Sequence, residues 1–228
     1  MRIIFVRHGH PDYKNDCLTD LGHIHAEAAA ERLADENPTA IYASTCGRAY
    51  ETAEHLAARH KGRQIEKCEF MREIKWKSLT EEPIQRNGHP WYVADDKVAA
   101  GQSVMNPDWR TEEPYCQSMV VSSSQTAIDG FDALLTSLGY RRDGYYYRVE
   151  RENPDTVFMV SHGGSSSAVL SHMLNIPFPQ FCATVKPDFT AITILTLSGE
   201  VGTLICPQIE LLNDARHIRT KDAARFDT

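Results

Sequence analysis

The sequence has 228 residues, of which 42% are hydrophobic and 24% are charged, and its formal net charge is -7 with neutral histidines. These values are typical of a globular protein that can bury one large core, and the negative charge argues against nonspecific nucleic-acid binding. The apolar runs are too short for a membrane span or a signal peptide, and the six scattered cysteines form no Cys-x-x-Cys pair. We therefore expect a cytoplasmic protein with reduced thiols, without nucleic-acid or membrane partners.

The chain begins with a strand that ends in two chemically useful side chains. Residues 3–6 are β-branched or aromatic, which is typical of a strand buried on both faces of a sheet. Arg7 and His8 follow, at the strand end where open α/β sheets bind their ligands. A neutral imidazole can attack phosphorus, and a guanidinium can hold two phosphate oxygens. The pair favours phosphoryl chemistry, although a structural histidine at a strand end would explain it equally simply.

A helix, a strand and a second helix come next. The apolar spacing predicts a helix over residues 20–36 with Thr19 as its N-cap, and then a strand over residues 40–44. Arg48 lies in the first turn of the following helix, where the helix dipole disfavours a cation. An anion bound at that helix N-terminus would explain this placement, whereas a solvated arginine is the simpler explanation of this feature alone.

A third predicted strand, over residues 65–70, precedes an irregular segment. Glu73 comes just after this strand, where a general acid can lie. Residues 77–117 contain four prolines among aromatic and charged residues, so we predict an insertion of irregular or short-helical structure that ends at a long helix near residue 118. The aromatic side chains of the insertion either wall a substrate pocket or anchor the insertion to the protein; they are Trp91, Tyr92, Trp109 and Tyr115.

The second half of the chain supplies another histidine. A buried strand is predicted over residues 156–161, and it ends before His162. Residues 191–197 and 201–206 are typical of a closing hairpin. We expect the charged tail from residue 211 on to be only partly ordered.

Four predicted strand ends thus carry cationic, imidazole or carboxylate side chains. Each has a structural explanation when it is taken singly, but together they indicate one phosphate site; they are Arg7 with His8, Arg48, Glu73 and His162. We predict a single domain over residues 1–228, built as a three-layer α/β/α sandwich with a mostly parallel central sheet. The insertion at about 77–117 is expected to form a cap or a pocket wall.

The ordered set of motifs resembles the histidine phosphatase superfamily, also called the phosphoglycerate mutase-like proteins. The resemblance covers roughly residues 1–75 and 118–206. It rests on Arg7-His8-Gly9, on Leu18-Thr19 with Gly22 and Ala26, on Ser44, Arg48, Ala49, Thr52 and Ala53, on Glu73, and on Val160-Ser161-His162-Gly163-Gly164.

This resemblance implies a role for each residue of the set. His8 would attack phosphorus and become phosphorylated, Glu73 would protonate the leaving oxygen and then help to activate water, and the phosphoryl oxygens would be held by Arg7, Arg48 and His162. No metal or other cofactor is implied. The sequence departs from the family pattern at the rim of the site, at His10, Pro11, Lys14, Thr45 and Cys46, and the substrate therefore does not carry over.

Three functions remain open at this stage. The first is hydrolysis of a phosphomonoester of a small metabolite. The second is phosphoglycerate mutase-type phosphoryl transfer, and the third is phosphate binding without turnover. A homodimer is compatible with the sequence, which leaves the oligomeric state open.

Overall fold

The computed structural model describes residues 1–218. Its strands are β1 (Arg2–Arg7), β2 (Pro11–Asp12), β3 (Cys17–Leu18), β4 (Ala40–Ser44), β5 (Ile65–Cys68), β6 (Tyr140–Asp143), β7 (Tyr146–Val149), β8 (Thr156–Ser161), β9 (Ile192–Thr196), β10 (Leu204–Ile205) and β11 (Gln208–Asp214). Its α-helices are α1 (Asp20–Arg32), α2 (Gly47–Arg59), α3 (Pro90–Ala99), α4 (Val120–Ser137), α5 (Gly163–Met173) and α6 (Phe178–Thr184).

The central sheet contains six strands in the order β11-β9-β1-β8-β4-β5. β1 pairs in parallel with β8, β8 with β4, and β4 with β5, whereas β9 runs antiparallel to its neighbours β1 and β11. The mostly parallel sheet predicted from the sequence is therefore confirmed. Because the register places Arg7 opposite Ser161, the residues that follow β1 and β8 emerge side by side.

Helices cover both faces of this sheet. Along β1, Ile3 and Phe5 join a core that includes residues of α4, α5 and α6, whereas Ile4 and Val6 join a second core with α1 and α2. This alternation follows from the two-residue period of a strand. The three-layer α/β/α sandwich is confirmed.

Several element ends follow from local chemistry. The Thr19 hydroxyl accepts a hydrogen bond from the Gly22 backbone N–H at 3.1 Å, and it caps α1 as predicted. α1 ends at Arg32, before the expected residue 36. β5 ends at Cys68 because a 3₁₀ turn over Glu69–Met71 replaces the last expected strand residues.

One expectation for the end of the chain is wrong, and a second is tested only in part. β9 does not form a hairpin with β10, because β9 is apolar on both faces and lies inside the sheet, while β10 pairs with β7. β11 is an ordered edge strand within the segment that was expected to be partly ordered. The remainder of that tail, residues 219–228, lies outside the described residues.

The insertion at residues 77–117 packs against the α4, α5 and α6 side of the protein. Val93 of α3, Trp109 and Tyr115 share a third hydrophobic cluster with Ala168 of α5 and Phe178 of α6. Two of the aromatic residues of the insertion thus anchor it to the body of the protein. The role of the insertion as a cap or pocket wall stays a prediction.

Two further features concern the cysteines and the character of the helices. All six cysteines are free thiols. Within residues 1–218, none of the helices has the length and apolar character needed to cross a bilayer.

Close packing of α1 against the chain just after β1 gives a stability prediction. A Cβ added at Gly22 would lie 2.1 Å from the carbonyl oxygen of His10. Gly22→Ala must therefore push the segment that follows His8 away from α1. We expect a loss of about 1–3 kcal/mol in the free energy of unfolding, measured by urea denaturation. Ile24→Ala, at a position of the same helix that is 65% exposed, should change it by less than about 0.5 kcal/mol. Equal unfolding midpoints for the two variants would contradict this packing.

Candidate active site

Two histidines meet at the carboxyl edge of the sheet. His8 follows β1 and His162 follows β8, and their ring centroids lie 5.1 Å apart because the two strands are paired. Both side chains are buried. The two imidazoles that the sequence placed at separate strand ends therefore belong to one site.

The His8 ring has a defined tautomer. Its Nδ1 lies 2.7 Å from the backbone carbonyl oxygen of Gly9, and because a carbonyl oxygen only accepts hydrogen bonds, Nδ1 carries the proton. The lone pair of the neutral ring is then on Nε2, which accepts a hydrogen bond from Arg48 Nε at 3.4 Å. Burial, followed by the charges of Arg7 and Arg48, lowers the pKa of His8 well below its usual range. His8 is therefore unprotonated at Nε2 at neutral pH, which is the state that a nucleophilic imidazole requires.

Two guanidinium groups flank the His8 imidazole. Arg48 is buried, so it is not the solvated arginine that the helix position alone suggested, and its Nη1 pairs with the Asp16 carboxylate. Arg7 is half-buried, and its Nη1 donates to the carbonyl oxygen of Pro187 at 2.5 Å. The site thus concentrates positive charge within a chain of net charge -7.

His162 is linked to a third strand. Its Nε2 lies 2.8 Å from the hydroxyl oxygen of Ser44, the last residue of β4. Burial, with smaller contributions from His8, Arg48 and Arg7, lowers the pKa of His162 well below its usual range. The sequence gave Ser44 no role, although Ser44 lies at a strand end and is among the residues that carry the family resemblance.

Glu73 faces the N-terminus of α5. Its Oε1 accepts hydrogen bonds from the backbone N–H groups of Ile74 at 3.0 Å, Gly164 at 3.0 Å and Ser165 at 3.2 Å. A Cβ on Gly164 would lie 2.5 Å from that oxygen, so only glycine allows this approach. Burial raises the pKa of Glu73, and the rise is opposed by Arg7, by Arg48 and by the N–H groups of Ile74 and Ser165. Since Oε1 is held by three donors, Oε2 is the oxygen that can carry and move a proton.

A comparison of the sequence with models of known protein families agrees with this geometry. The model of the histidine phosphatase superfamily (branch 1) matches residues 3–112, a range that includes Arg7, His8, Arg48 and Glu73. Over this matched range the chain is similar to the histidine phosphatase superfamily.

Solved structures with the same fold include several phosphatases. A mycobacterial glucosyl-3-phosphoglycerate phosphatase in complex with inorganic phosphate shares 26% sequence identity, with a TM-score of 0.62 over 95% of this chain and 99% of that chain. Bacillus stearothermophilus YhfR shares 21% identity, with a TM-score of 0.63 over 95% of this chain and 98% of that chain. A mutant phosphoserine phosphatase from Entamoeba histolytica, in complex with phosphoserine, shares 19% identity with a TM-score of 0.62 and the same coverage. The last two likenesses concern the fold alone. No curated protein matches the sequence.

The rim of this site carries aromatic side chains. The Phe189 ring lies 4.3 Å from Arg7 Cζ and 6.0 Å from the His8 ring. Trp91, in the insertion, donates from Nε1 to the carbonyl oxygen of Val185 at 3.0 Å, and its indole lies within 4 Å of the place where a Cβ on Gly163 would stand. Of the four aromatic residues singled out in the insertion, Trp91 is therefore the one beside the site.

The residues that the structure describes form no cluster that resembles a metal centre. Within residues 1–218, no group of three or more His, Cys, Asp or Glu side chains is arranged to hold a metal ion.

The lowered pKa values of the two histidines predict how stability depends on pH. Below the ordinary value of 6.5, the unfolded chain takes up protons at these residues while the folded chain does not, so stability is complete above about pH 6.5 and falls as the pH decreases. Each histidine contributes a slope of up to about 1.4 kcal/mol per pH unit. His8→Asn should remove one such slope from urea unfolding measured between pH 6.5 and 5.

The raised pKa of Glu73 has the opposite effect on stability. The folded protein holds this proton more tightly than the unfolded chain does, and the resulting stability is lost as the pH rises through the pKa of Glu73 in the folded protein. Glu73 is common to both proteins, so its contribution cancels in the comparison. Identical slopes for wild type and His8→Asn would show that His8 is not held neutral in the folded protein.

Proposed function

We propose that the protein hydrolyses phosphomonoesters of small metabolites through a phosphohistidine on His8, without a metal. The observation that supports this most directly is the buried Nε2 lone pair of His8 beside the Arg48 guanidinium. A protein that only binds phosphate needs cations, but it needs neither an unprotonated nucleophile nor a carboxyl group with a raised pKa.

In the first half of the reaction, His8 Nε2 forms a bond to phosphorus. The bond from phosphorus to the ester oxygen breaks, its electron pair moves to that oxygen, and the Glu73 carboxyl group supplies the proton. Arg7 and Arg48 stabilise the charge on the three equatorial phosphoryl oxygens. A raised pKa suits Glu73 to this step, because the group keeps its proton at a higher pH than an ordinary glutamate.

In the second half, water releases the phosphoryl group. The Glu73 carboxylate takes a proton from water as the water oxygen bonds to phosphorus. The phosphorus–nitrogen bond breaks and its electron pair returns to His8 Nε2. Inorganic phosphate leaves, and both residues regain their starting protonation states.

The leaving group provides a test that separates the two residues. Glu73→Gln keeps the hydrogen bonds to the α5 N-terminus but cannot deliver a proton. We expect kcat for an alkyl phosphate to fall about 10²–10⁴-fold, and kcat for p-nitrophenyl phosphate to fall much less, because its phenolate leaves without a proton. His8→Ala should abolish turnover of both substrates. Glu69→Gln, at a nearby carboxylate on the surface, is the matched control and should leave both rates unchanged.

Other outcomes of these assays decide between the open functions. Equal losses on both substrates in Glu73→Gln would show that Glu73 is not the leaving-group acid. Absence of p-nitrophenyl phosphate turnover by wild type in EDTA would favour a phosphate-binding protein or a metal requirement. Rapid interconversion of phosphoglycerates with a bisphosphate primer, with little hydrolysis, would favour a mutase.

A further inference from the structure

The loop between α6 and β9 holds Arg7 on several sides. The carbonyl oxygen of Pro187 accepts from Arg7 Nη1 at 2.5 Å, and the carbonyl oxygen of Ala191 accepts from the Arg7 backbone N–H at 3.2 Å. The Phe189 ring stacks 4.3 Å from Arg7 Cζ, a cation–π distance. The same loop reaches the nucleophile, because the Thr190 backbone N–H donates to the carbonyl oxygen of His8 at 3.2 Å.

Packing alone does not fix this arginine. A small cavity lies beside its side chain and is lined in part by Arg7, Pro187 and Asn213. A side chain next to a cavity has room to move, so the hydrogen bonds of the loop must set the direction of the guanidinium.

The loop itself is held in an unfavourable conformation. Thr190 has φ 52°, a left-handed value that is costly for a β-branched residue. Such a conformation persists only where the surroundings enforce it. One contact that holds Thr190 in this conformation is made by its hydroxyl oxygen, which lies 3.0 Å from Nε2 of His217, near the end of the described chain.

Asn213, on the irregular edge strand β11, supplies the main restraint. Its Nδ2 donates to the carbonyl oxygen of Lys186 at 2.9 Å, and its Oδ1 accepts from the Asp188 backbone N–H at 3.0 Å. These two bonds bracket Pro187, the residue that holds Arg7. The backbone N–H of Asn213 donates to the Thr193 hydroxyl at 3.0 Å, and its φ of 48° is one that asparagine adopts more readily than most residues.

We propose that Asn213 is a positioning residue: it fixes the loop at residues 186–190 and thereby aims the Arg7 guanidinium at the phosphoryl group. This inference rests on the proposed function in one respect, namely that Arg7 binds the phosphate. Asn213 itself touches neither the phosphate nor the reacting atoms.

Asn213→Gly tests the proposal, because glycine accepts the positive φ while both side-chain hydrogen bonds are lost. We expect the competitive inhibition constant of inorganic phosphate and the KM for p-nitrophenyl phosphate to rise about ten- to a hundredfold, since small displacements of a positioning group cost that much. Asn213→Asp keeps an oxygen that accepts from the Asp188 backbone N–H but loses the donor to Lys186. It should raise both constants by a smaller factor. It serves as the second variant if Asn213→Gly folds poorly.

Asn175→Gly is the matched control. Asn175 also has a positive φ, 56°, and its side chain also makes two hydrogen bonds, one to the carbonyl oxygen of Tyr145 and one from Arg142. It lies beyond the far end of α5, about 15–20 Å from His162 by the helical rise. It should lose similar thermal stability while both phosphate constants stay within about twofold of wild type.

Phosphate binding can also be measured without an activity assay, from the shift in melting temperature that inorganic phosphate causes. An unchanged phosphate shift and inhibition constant in Asn213→Gly, or an equal loss in Asn175→Gly, would overturn the role of Asn213 while leaving the phosphatase proposal intact. Wild-type protein that binds phosphate but does not turn over would instead contradict the proposed function, and the binding shift would still test Asn213.

Discussion

The parallel pairing of β1 with β8 is the interaction on which the site depends. It brings together two segments that lie far apart in the sequence, and its register sets Arg7 opposite Ser161. The next residue of each strand is a histidine, so the pairing fixes the two imidazoles at 5.1 Å. A slip of this register would move the apolar side chains of β1 to the wrong faces of the sheet. The hydrophobic cores on both faces therefore stabilise the site geometry at the same time as they stabilise the fold.

Burial gives the site its chemistry and also makes it costly. Two imidazoles, two guanidinium groups and a carboxyl group share a region with little water, and burial is the largest cause of the lowered pKa of His8 and His162 and of the raised pKa of Glu73. The protein offsets part of the cost with backbone groups: the carbonyl oxygen of Gly9 fixes the His8 tautomer, and the α5 N-terminus holds Glu73. Arg48 already pairs with the Asp16 carboxylate, and a bound phosphate would bring further negative charge to both arginines.

The parts of this structure that could be read from the sequence have local signals. Short apolar runs ending in polar side chains identified β1, β4 and β8, and hence His8 and His162, while Thr19 identified the start of α1. Contacts that depend on long-range pairing had no such signal. The hydrogen bond between Ser44 and His162 requires β4 to lie beside β8. The hydrogen bond from Arg7 to the carbonyl oxygen of Pro187 requires the loop after α6 to reach the end of β1. β11 was missed because its outer side chains are exposed at the edge of the sheet, so it lacks the apolar run of an inner strand.

The central claim, that His8 is the residue that receives the phosphoryl group, is tested most directly by trapping the intermediate. Wild-type protein would be mixed with ³²P-labelled phosphomonoester, quenched within milliseconds in base, digested and mapped by mass spectrometry. The proposed mechanism predicts a base-stable, acid-labile phosphate on the peptide that contains His8, in an amount that approaches one per active site when release is slow. A phosphate on another residue, or turnover without any labelled protein at every quench time, would contradict it.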